Sequence, residues 1–144
     1  MDEREYMSIR SKLIPVPCVF EKSILALRAQ CVLSTKKNIA EREVVLCSSE
    51  HASARCNDWL RVLRQKAQFS LHIPDQTSVL PHSKEMKVQV GGILGLYKLL
   101  ELEPCEDGPP DVFRALETCS GRISNFEDVP FEEIIREVVH FQLR

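Results

Sequence analysis

The amino-acid sequence predicts a mainly helical domain, and three observations lead to this fold class. Apolar side chains recur at helical spacing along most of the chain. Five glycines and 6% aromatic residues are few for a turn-rich β-sandwich. The 144 residues, 44% of them hydrophobic, are enough to bury one sizeable core. We therefore expect an all-α or mainly α fold, with helical hairpins stacked as a short solenoid or packed as an irregular bundle.

Residues 1–17 are predicted to form an extended lead-in, followed by a single helical domain at 18–144. Pro15 and Pro17 remove backbone donors and favour extended geometry in the residues before them, so the first helix should begin after them. A helix is predicted over about 20–33 because its apolar residues share one face. These residues are Phe20, Ile24, Leu27 and Cys31.

The stretch 39–48 allows two interpretations. Its apolar run at 43–47 is brief and partly β-branched, which is typical of a short buried strand. The same run places Val44 and Cys47 on one side of a helix. Because the neighbouring segments are predicted to be helical, we expect a helix here, preceded by a polar, basic turn at 34–38. A strand near 43–47, within a small α/β protein, is the alternative.

The clearest helix is predicted over 50–67. Ser48 or Ser49 can cap its N-terminus, and Glu50 suits its first turn because the helix dipole favours negative charge there. The basic residues on its polar side are Arg55, Arg61, Arg64 and Lys66. Prolines and small polar residues predict a loop over 72–81.

Three more helices are predicted in the rest of the chain. The first begins with Ser83 as its N-cap and ends ahead of an acidic connector at 101–111. A short helix follows over about 111–119. The last helix has Pro130 in its first turn and Asp128 as its cap.

Apolar tetrads recur along the predicted helices. They begin at Ile24, Trp59 and Ile93, which are 35 and then 34 residues apart. Helix-hairpin solenoids have periods of this size because one hairpin cannot bury its own apolar face and must stack on the next. In this respect residues 18–144 resemble a piece of a HEAT or armadillo-type array. The resemblance implies a non-enzymatic scaffold or adaptor that binds protein segments along a groove.

The six cysteines bear on the cellular compartment and on metal binding. None belongs to a Cys-x-x-Cys pair, so the strong zinc and redox signatures are missing from the sequence. The N-terminus is acidic where a signal peptide is basic, so we expect free thiols in the cytosol or nucleus. Cys47, His51 and Cys56 lack a converging fourth ligand, so we assign no metal site. We also assign no cofactor and no catalytic residue.

Gly91 and Gly92 support a competing hypothesis. A strand that led into these glycines would present backbone N–H groups to a phosphate, as in a small α/β enzyme or phosphate-binding protein. The pattern departs from G-x-G-x-x-G and lacks the Gly-Lys-Ser/Thr ending of a P-loop. We therefore favour a helix in which Gly91 and Gly95 leave one side bare, so that a neighbouring helix approaches closely.

Charge is unevenly distributed along the chain. Residues 1–72 carry 12 basic and 8 acidic side chains, whereas residues 73–144 carry 7 basic and 13 acidic ones. No uncharged run is long enough to span a membrane. The uneven charge can steer an oppositely charged partner, so we expect binding to another protein, including self-association. Nucleic-acid binding is the alternative. The predicted contact residues are Arg55, Arg61, Arg64 and Lys66 on the helix and Glu101, Glu103, Glu106 and Asp107 in the connector.

Overall fold

The computed structural model describes residues 2–75 and 78–142. The helices are α1 (Glu3–Leu13), α2 (Glu21–Leu25), α3 (Glu50–Ala67), α4 (His82–Met86), α5 (Gly92–Leu99), α6 (Val112–Arg122) and α7 (Phe131–His140). The strands are β1 (Ser34–Ile39) and β2 (Arg42–Cys47). A π-helical turn (Lys87–Gly91) joins α4 to α5, and a 3-10 turn (Phe126–Asp128) precedes α7. Met1 of the predicted lead-in, Gln76 and Thr77 of the predicted loop, and Leu143 and Arg144 of the predicted domain lie outside the described residues.

The strands make the fold a mixed one rather than an all-α solenoid. Successive strand residues point to opposite faces of a sheet, and Val44 and Val45 are both buried. Val44 packs against α1, whereas Val45 enters the main core. The strand alternative at 43–47 is therefore confirmed. The helix expected at 39–48 and the turn expected at 34–38 are wrong, because burial on two opposite faces requires the two-residue period of a strand.

The hairpin turns through two residues between Ile39 and Arg42, which lie opposite each other in the antiparallel pair. Ala40, the first of them, has a φ of 55°, in the left-handed region that favours glycine. Sequence analysis recognises such turns by Asn-Gly or Asp-Gly pairs. Ala-Glu carries no such signal, which is why the hairpin was not expected.

Residues 3–13, expected to be extended, form the helix α1. The Asp2 carboxylate caps it by accepting a hydrogen bond from the Glu5 N–H at 2.7 Å. Tyr6 is buried between this helix and the hairpin, in a small apolar cluster apart from the main core. The first helix therefore lies before Pro15 and Pro17, and the prediction that it begins after them is wrong.

The helix predicted over 20–33 is wrong after Leu25, where α2 ends. Leu27, expected on the buried face, has a φ of 61° and is 71% exposed. The Arg28 N–H donates to the Ser23 carbonyl at 2.9 Å. A left-handed residue followed by this type of hydrogen bond is a common helix C-terminus, and it turns the chain toward β1.

The helix predicted over 50–67 is confirmed by α3, and Ser49 is its cap. The Ser49 hydroxyl accepts a hydrogen bond from the Ala52 N–H at 3.1 Å. The short helix predicted at 111–119 is also present, as α6, and continues to Arg122.

Two predicted caps are wrong. The helix after the loop begins behind Pro81 rather than at Ser83, and it continues through α4, the π-helical turn and α5 as one rod. Asp128 belongs to the 3-10 turn, and Pro130 takes the N-cap position of α7 instead. Proline suits this position because its missing N–H would have no partner within the helix.

The predicted close approach of a helix at Gly91 and Gly95 is confirmed. A Cβ atom on Gly91 would lie 2.6 Å from the Cα of Val138 in α7, and one on Gly95 would lie 2.8 Å from the Cα of Ile134. The rod and α7 therefore pack backbone against backbone. This seam fixes the position of α7 beside α5, where the candidate site lies.

The main core lies between the hairpin, α3, the rod, α6 and α7. Trp59 of α3 is fully buried in it, and its ring centroid lies 5.6 Å from that of Phe131. Across residues 2–75 and 78–142, every helix is too short or too polar to cross a membrane.

Candidate protein interface

The basic residues predicted to bind a partner are mostly engaged within the chain. The Arg55 side chain is only 14% exposed, and it forms an ion pair of 2.8 Å with Glu117 of α6. Its guanidinium also lies over the Phe113 ring, 5.6 Å from the centroid. Arg55 therefore joins α3 to α6, which is a structural role.

The other basic residues of α3 also have partners in the chain. Arg64 donates hydrogen bonds to the backbone carbonyls of Asp75 and Ser78, which hold the loop after α3 in place. Lys66 pairs with Glu127 at 3.5 Å, and Arg61 pairs with Asp58 at 3.2 Å. The basic residues of α3 therefore secure neighbouring segments, and of the four only Arg61 and Lys66 keep substantially exposed side chains.

The acidic connector differs from the basic side of α3. Its carboxylates at Glu101, Glu103, Glu106 and Asp107 are exposed. None of the four forms an ion pair with any residue in 2–75 or 78–142. Four negative charges thus stand close together in sequence, and the arginines that contact this segment, Arg114 and Arg122, donate to backbone carbonyls rather than to these carboxylates.

Glu101 has a left-handed backbone with a φ of 55° at the C-terminus of α5. The Leu102 N–H donates to the Tyr97 carbonyl at 2.9 Å, which closes the helix end. Glycine is the usual residue at this position, and a residue with a side chain costs about 1 kcal/mol there. The chain therefore keeps a carboxylate at a backbone position that disfavours it.

An apolar groove of about 340 Å³ lies beside the connector. Its lining comes from α5, from the connector and, through Glu137 alone, from α7. The lining residues are Leu94, Tyr97, Lys98, Leu102, Pro104, Cys105, Pro110 and Glu137. Lys98 and Glu137 form an ion pair that bridges α5 and α7. We call this groove, together with the four connector carboxylates, the acidic groove.

Tyr97 holds the two ends of the connector together at the groove. Its hydroxyl accepts a hydrogen bond from the Asp111 N–H at 2.8 Å and donates to the Asp111 carbonyl at 3.2 Å. The Cys105 Sγ lies 3.5 Å from the same hydroxyl. Burial and the contact with Cys105 raise the pKa of Tyr97 to about 12, so the phenol stays neutral.

Arg114 supports the connector from α6. It donates to the Glu103 carbonyl at 2.7 Å, and its guanidinium lies 5.7 Å from the centroid of the Tyr97 ring. The backbone that carries the carboxylates is thereby fixed at both ends and in the middle. A surface held in this way is preorganised, which lowers the entropy cost of binding.

Four thiols share a second, much smaller cavity of about 20 Å³, which has room for about one water molecule. The four are Cys18, Cys31, Cys47 and Cys56. Burial raises the pKa of Cys18 to about 11 and that of Cys56 to about 12. These two thiols are therefore protonated at neutral pH and are poor nucleophiles and metal ligands.

The structure bears on the metal site and on the phosphate-binding turn that the sequence raises. Among residues 2–75 and 78–142, no three His, Cys, Asp or Glu side chains are grouped to hold a metal ion. The turn that the phosphate-binding alternative requires is not formed, because Gly91 and Gly92 lie inside the helical rod and are buried. All six cysteines are free thiols.

The connector carboxylates were recognised from sequence, but the groove beside them was missed. The sequence places Tyr97 on the apolar stripe of the helix predicted to begin at Ser83, and it places Leu102 and Cys105 in the connector, so it assigns none of the three to a site. A signal existed: an aromatic hydroxyl on that stripe, shortly before a segment with prolines at 104, 109 and 110. Prolines stiffen a segment that runs back over the surface of a helix, and such a segment forms one wall of a groove.

Comparison with models of protein families, with curated proteins and with solved structures finds no match to this chain.

Proposed function

We propose that this protein is a non-enzymatic adaptor of a larger assembly, and that the acidic groove binds a basic amphipathic segment of a protein partner. One observation carries the proposal: the connector lines an apolar groove of about 340 Å³ with Leu102, Pro104 and Cys105, and among the described residues its four exposed carboxylates form no ion pair. The apolar lining suits a hydrophobic anchor, and the carboxylates suit lysine or arginine around that anchor.

The two parts of the groove contribute differently to binding. Burying one large apolar side chain contributes about 1.5–3 kcal/mol. An exposed ion pair contributes about 0.2–1 kcal/mol and is screened by salt. The lining therefore supplies most of the affinity, whereas the carboxylates select a basic segment and make its binding dependent on ionic strength.

The backbone of Glu101 supports the same proposal. Residues held in strained backbone conformations cluster at functional sites, where the side chain is kept despite its cost. Glu101 lies at such a position, next to Leu102, which lines the groove. Retaining a negative side chain there strengthens the attraction of a basic segment.

We also propose that the protein works in a reducing compartment, the cytosol or the nucleus. Six free cysteines in 144 residues support this, because oxidising compartments convert closely placed thiols to disulfides. Four of them line one small cavity and are thus neighbours.

A capped synthetic peptide, Lys-Lys-Phe-Leu-Lys-Lys, tests the proposal by amide NMR of the isotope-labelled chain. We expect its addition to shift the amide signals of Tyr97, Leu102, Glu103 and Cys105, and added salt to weaken the binding. Two control peptides, one with glutamates in place of the lysines and one with serines in place of Phe-Leu, should bind more weakly. Equal binding of the acidic control, or shifts confined to other surfaces, would refute the assignment.

A further inference from the structure

We infer that the acidic groove also accepts Phe69 of a second copy of this chain, so that the protein self-associates by inserting one aromatic side chain into one groove. This inference rests on the groove of the proposed function and names one of its partners. It uses a feature that the adaptor proposal leaves unexplained, an aromatic side chain almost wholly in solvent.

Phe69 is 92% exposed just after the end of α3. Two of its near neighbours, Leu71 and Ile73, are buried in the main core. The His72 N–H donates to the Phe69 carbonyl at 3.3 Å, and His72 itself has a left-handed φ of 54°. The backbone of this turn is therefore anchored on both sides, and it presents the phenyl ring outward. Exposed aromatic residues of this kind are common anchors of protein interfaces.

Two lysines lie near the exposed ring. Lys66, which pairs with Glu127 at 3.5 Å, lines the same surface depression as Phe69. The Lys84 ammonium donates to the carbonyl of His72, a neighbour of Phe69, at 3.2 Å. An aromatic side chain accompanied by lysine complements an apolar groove that an acidic connector lines. The chain thus carries both halves of one interface.

The sizes of the two halves are compatible. A groove of about 340 Å³ has room for a phenyl ring, and Leu94 and Leu102 give part of its lining an apolar character. One side chain and its flanking residues bury less area than a stable interface, which requires about 1,000 Å² or more. We therefore expect weak, reversible self-association that grows with protein concentration.

Sedimentation velocity over a range of concentrations up to about 1 mM tests the inference on the full chain. The wild type should sediment faster as its concentration rises. Phe69→Ser removes the aromatic anchor, and Leu94→Glu places a carboxylate in the groove, so each variant alone should remain monomeric. Val32→Ser is the matched control because Val32 is also strongly exposed, at 71%, and lies away from Phe69 in the sequence. Its sedimentation should match the wild type.

An equimolar mixture of the two variants gives the decisive result. The Phe69→Ser chain keeps its groove and the Leu94→Glu chain keeps its phenyl ring. The mixture should therefore form a dimer of one chain of each variant. Failure to form this dimer, undiminished association of Phe69→Ser, or a wild type that stays monomeric throughout would overturn the inference. Should circular dichroism show that Leu94→Glu is unfolded, the Glu103→Lys/Glu106→Lys double variant replaces it in the same mixture.

The lysine-rich peptide separates this inference from the proposed function. If both hold, the peptide occupies the groove and reduces the self-association of the wild type. If the peptide shifts the groove amides while the wild type remains monomeric, the adaptor proposal stands and the self-association is wrong. If association survives saturating peptide, the phenyl ring does not use this groove and the inference is wrong.

Discussion

The basic side of α3 and the acidic connector each carry four of the charged residues predicted to contact a partner, but the two regions use their charges differently. Arg55, Arg64 and Lys66 hold α6, a loop and the 3-10 turn against α3. The connector carboxylates hold nothing among the described residues, whereas Tyr97 and Arg114 fix the backbone beneath them. Charge on a surface therefore indicates a partner only where the chain itself leaves it unused.

The largest effect that this contrast predicts is the loss of stability on removing Arg55. Arg55→Ala deletes the ion pair with Glu117, the contact with the Phe113 ring and much buried aliphatic surface. We expect the free energy of unfolding to fall by about 2 kcal/mol, measured by urea denaturation. Arg61→Ala is the control, since its exposed pair should contribute less than about 0.5 kcal/mol. Binding of the lysine-rich peptide should be unchanged in both, and equal destabilisation by the two variants would contradict the structural role of Arg55.

The connector should show the opposite behaviour. Glu103→Gln/Glu106→Gln removes two exposed charges that make no ion pair with the described residues, so urea denaturation should give a wild-type free energy of unfolding within about 0.5 kcal/mol. Affinity for the lysine-rich peptide at low salt should fall about fivefold. The difference from the wild type should disappear at high salt, because screening removes the same contribution. If the double variant were clearly less stable, or bound the peptide at low salt as the wild type does, the connector carboxylates would not be binding residues and the contrast with α3 would be wrong.

The smallest effect concerns the strained residue of the connector. Glu101→Gly relieves the left-handed backbone, so the free energy of unfolding should rise by about 0.5 kcal/mol even though glycine is more flexible when unfolded. Peptide affinity should fall by about twofold, because one carboxylate is lost. Ala40→Gly provides the comparison: it has the same φ of 55°, in the hairpin, and should gain stability without any change in binding. If both variants bound the peptide as the wild type does, Glu101 would have no part in recognition.

Sequence periodicity predicted the helices that bury a broad apolar stripe. The helix at 50–67 and the bare side at Gly91 and Gly95 were both correct, because each depends on contacts spaced by whole helical turns. The sequence favours a helix over a strand at 43–47 because the neighbouring segments are predicted to be helical, and an adjacent pair such as Val44 and Val45 fits either structure. A strand is distinguished from a helix here only by the burial of Val44 and Val45 in two separate clusters, and this burial is visible only in the tertiary fold.

The candidate site was predicted only in part, for a related reason. The acidic residues at 101–107 stand out in composition, so they were found. Whether a charged residue is paired depends on residues far away in the chain, as with Arg55 and Glu117, which are 62 positions apart. The groove between Leu94, Cys105 and Glu137 joins three separate segments, and no local pattern reports that proximity.

The seam between the helical rod and α7 limits how this sequence can diverge. A methyl group on Gly91 or Gly95 would fall within 2.8 Å of a backbone atom in α7, so even alanine would push the helices apart. A protein that keeps this close packing of the rod against α7 therefore needs glycine at both positions, which are four residues apart. Two glycines at this spacing, opposite an amphipathic helix such as α7, are therefore a feature that more distant relatives with the same fold should share.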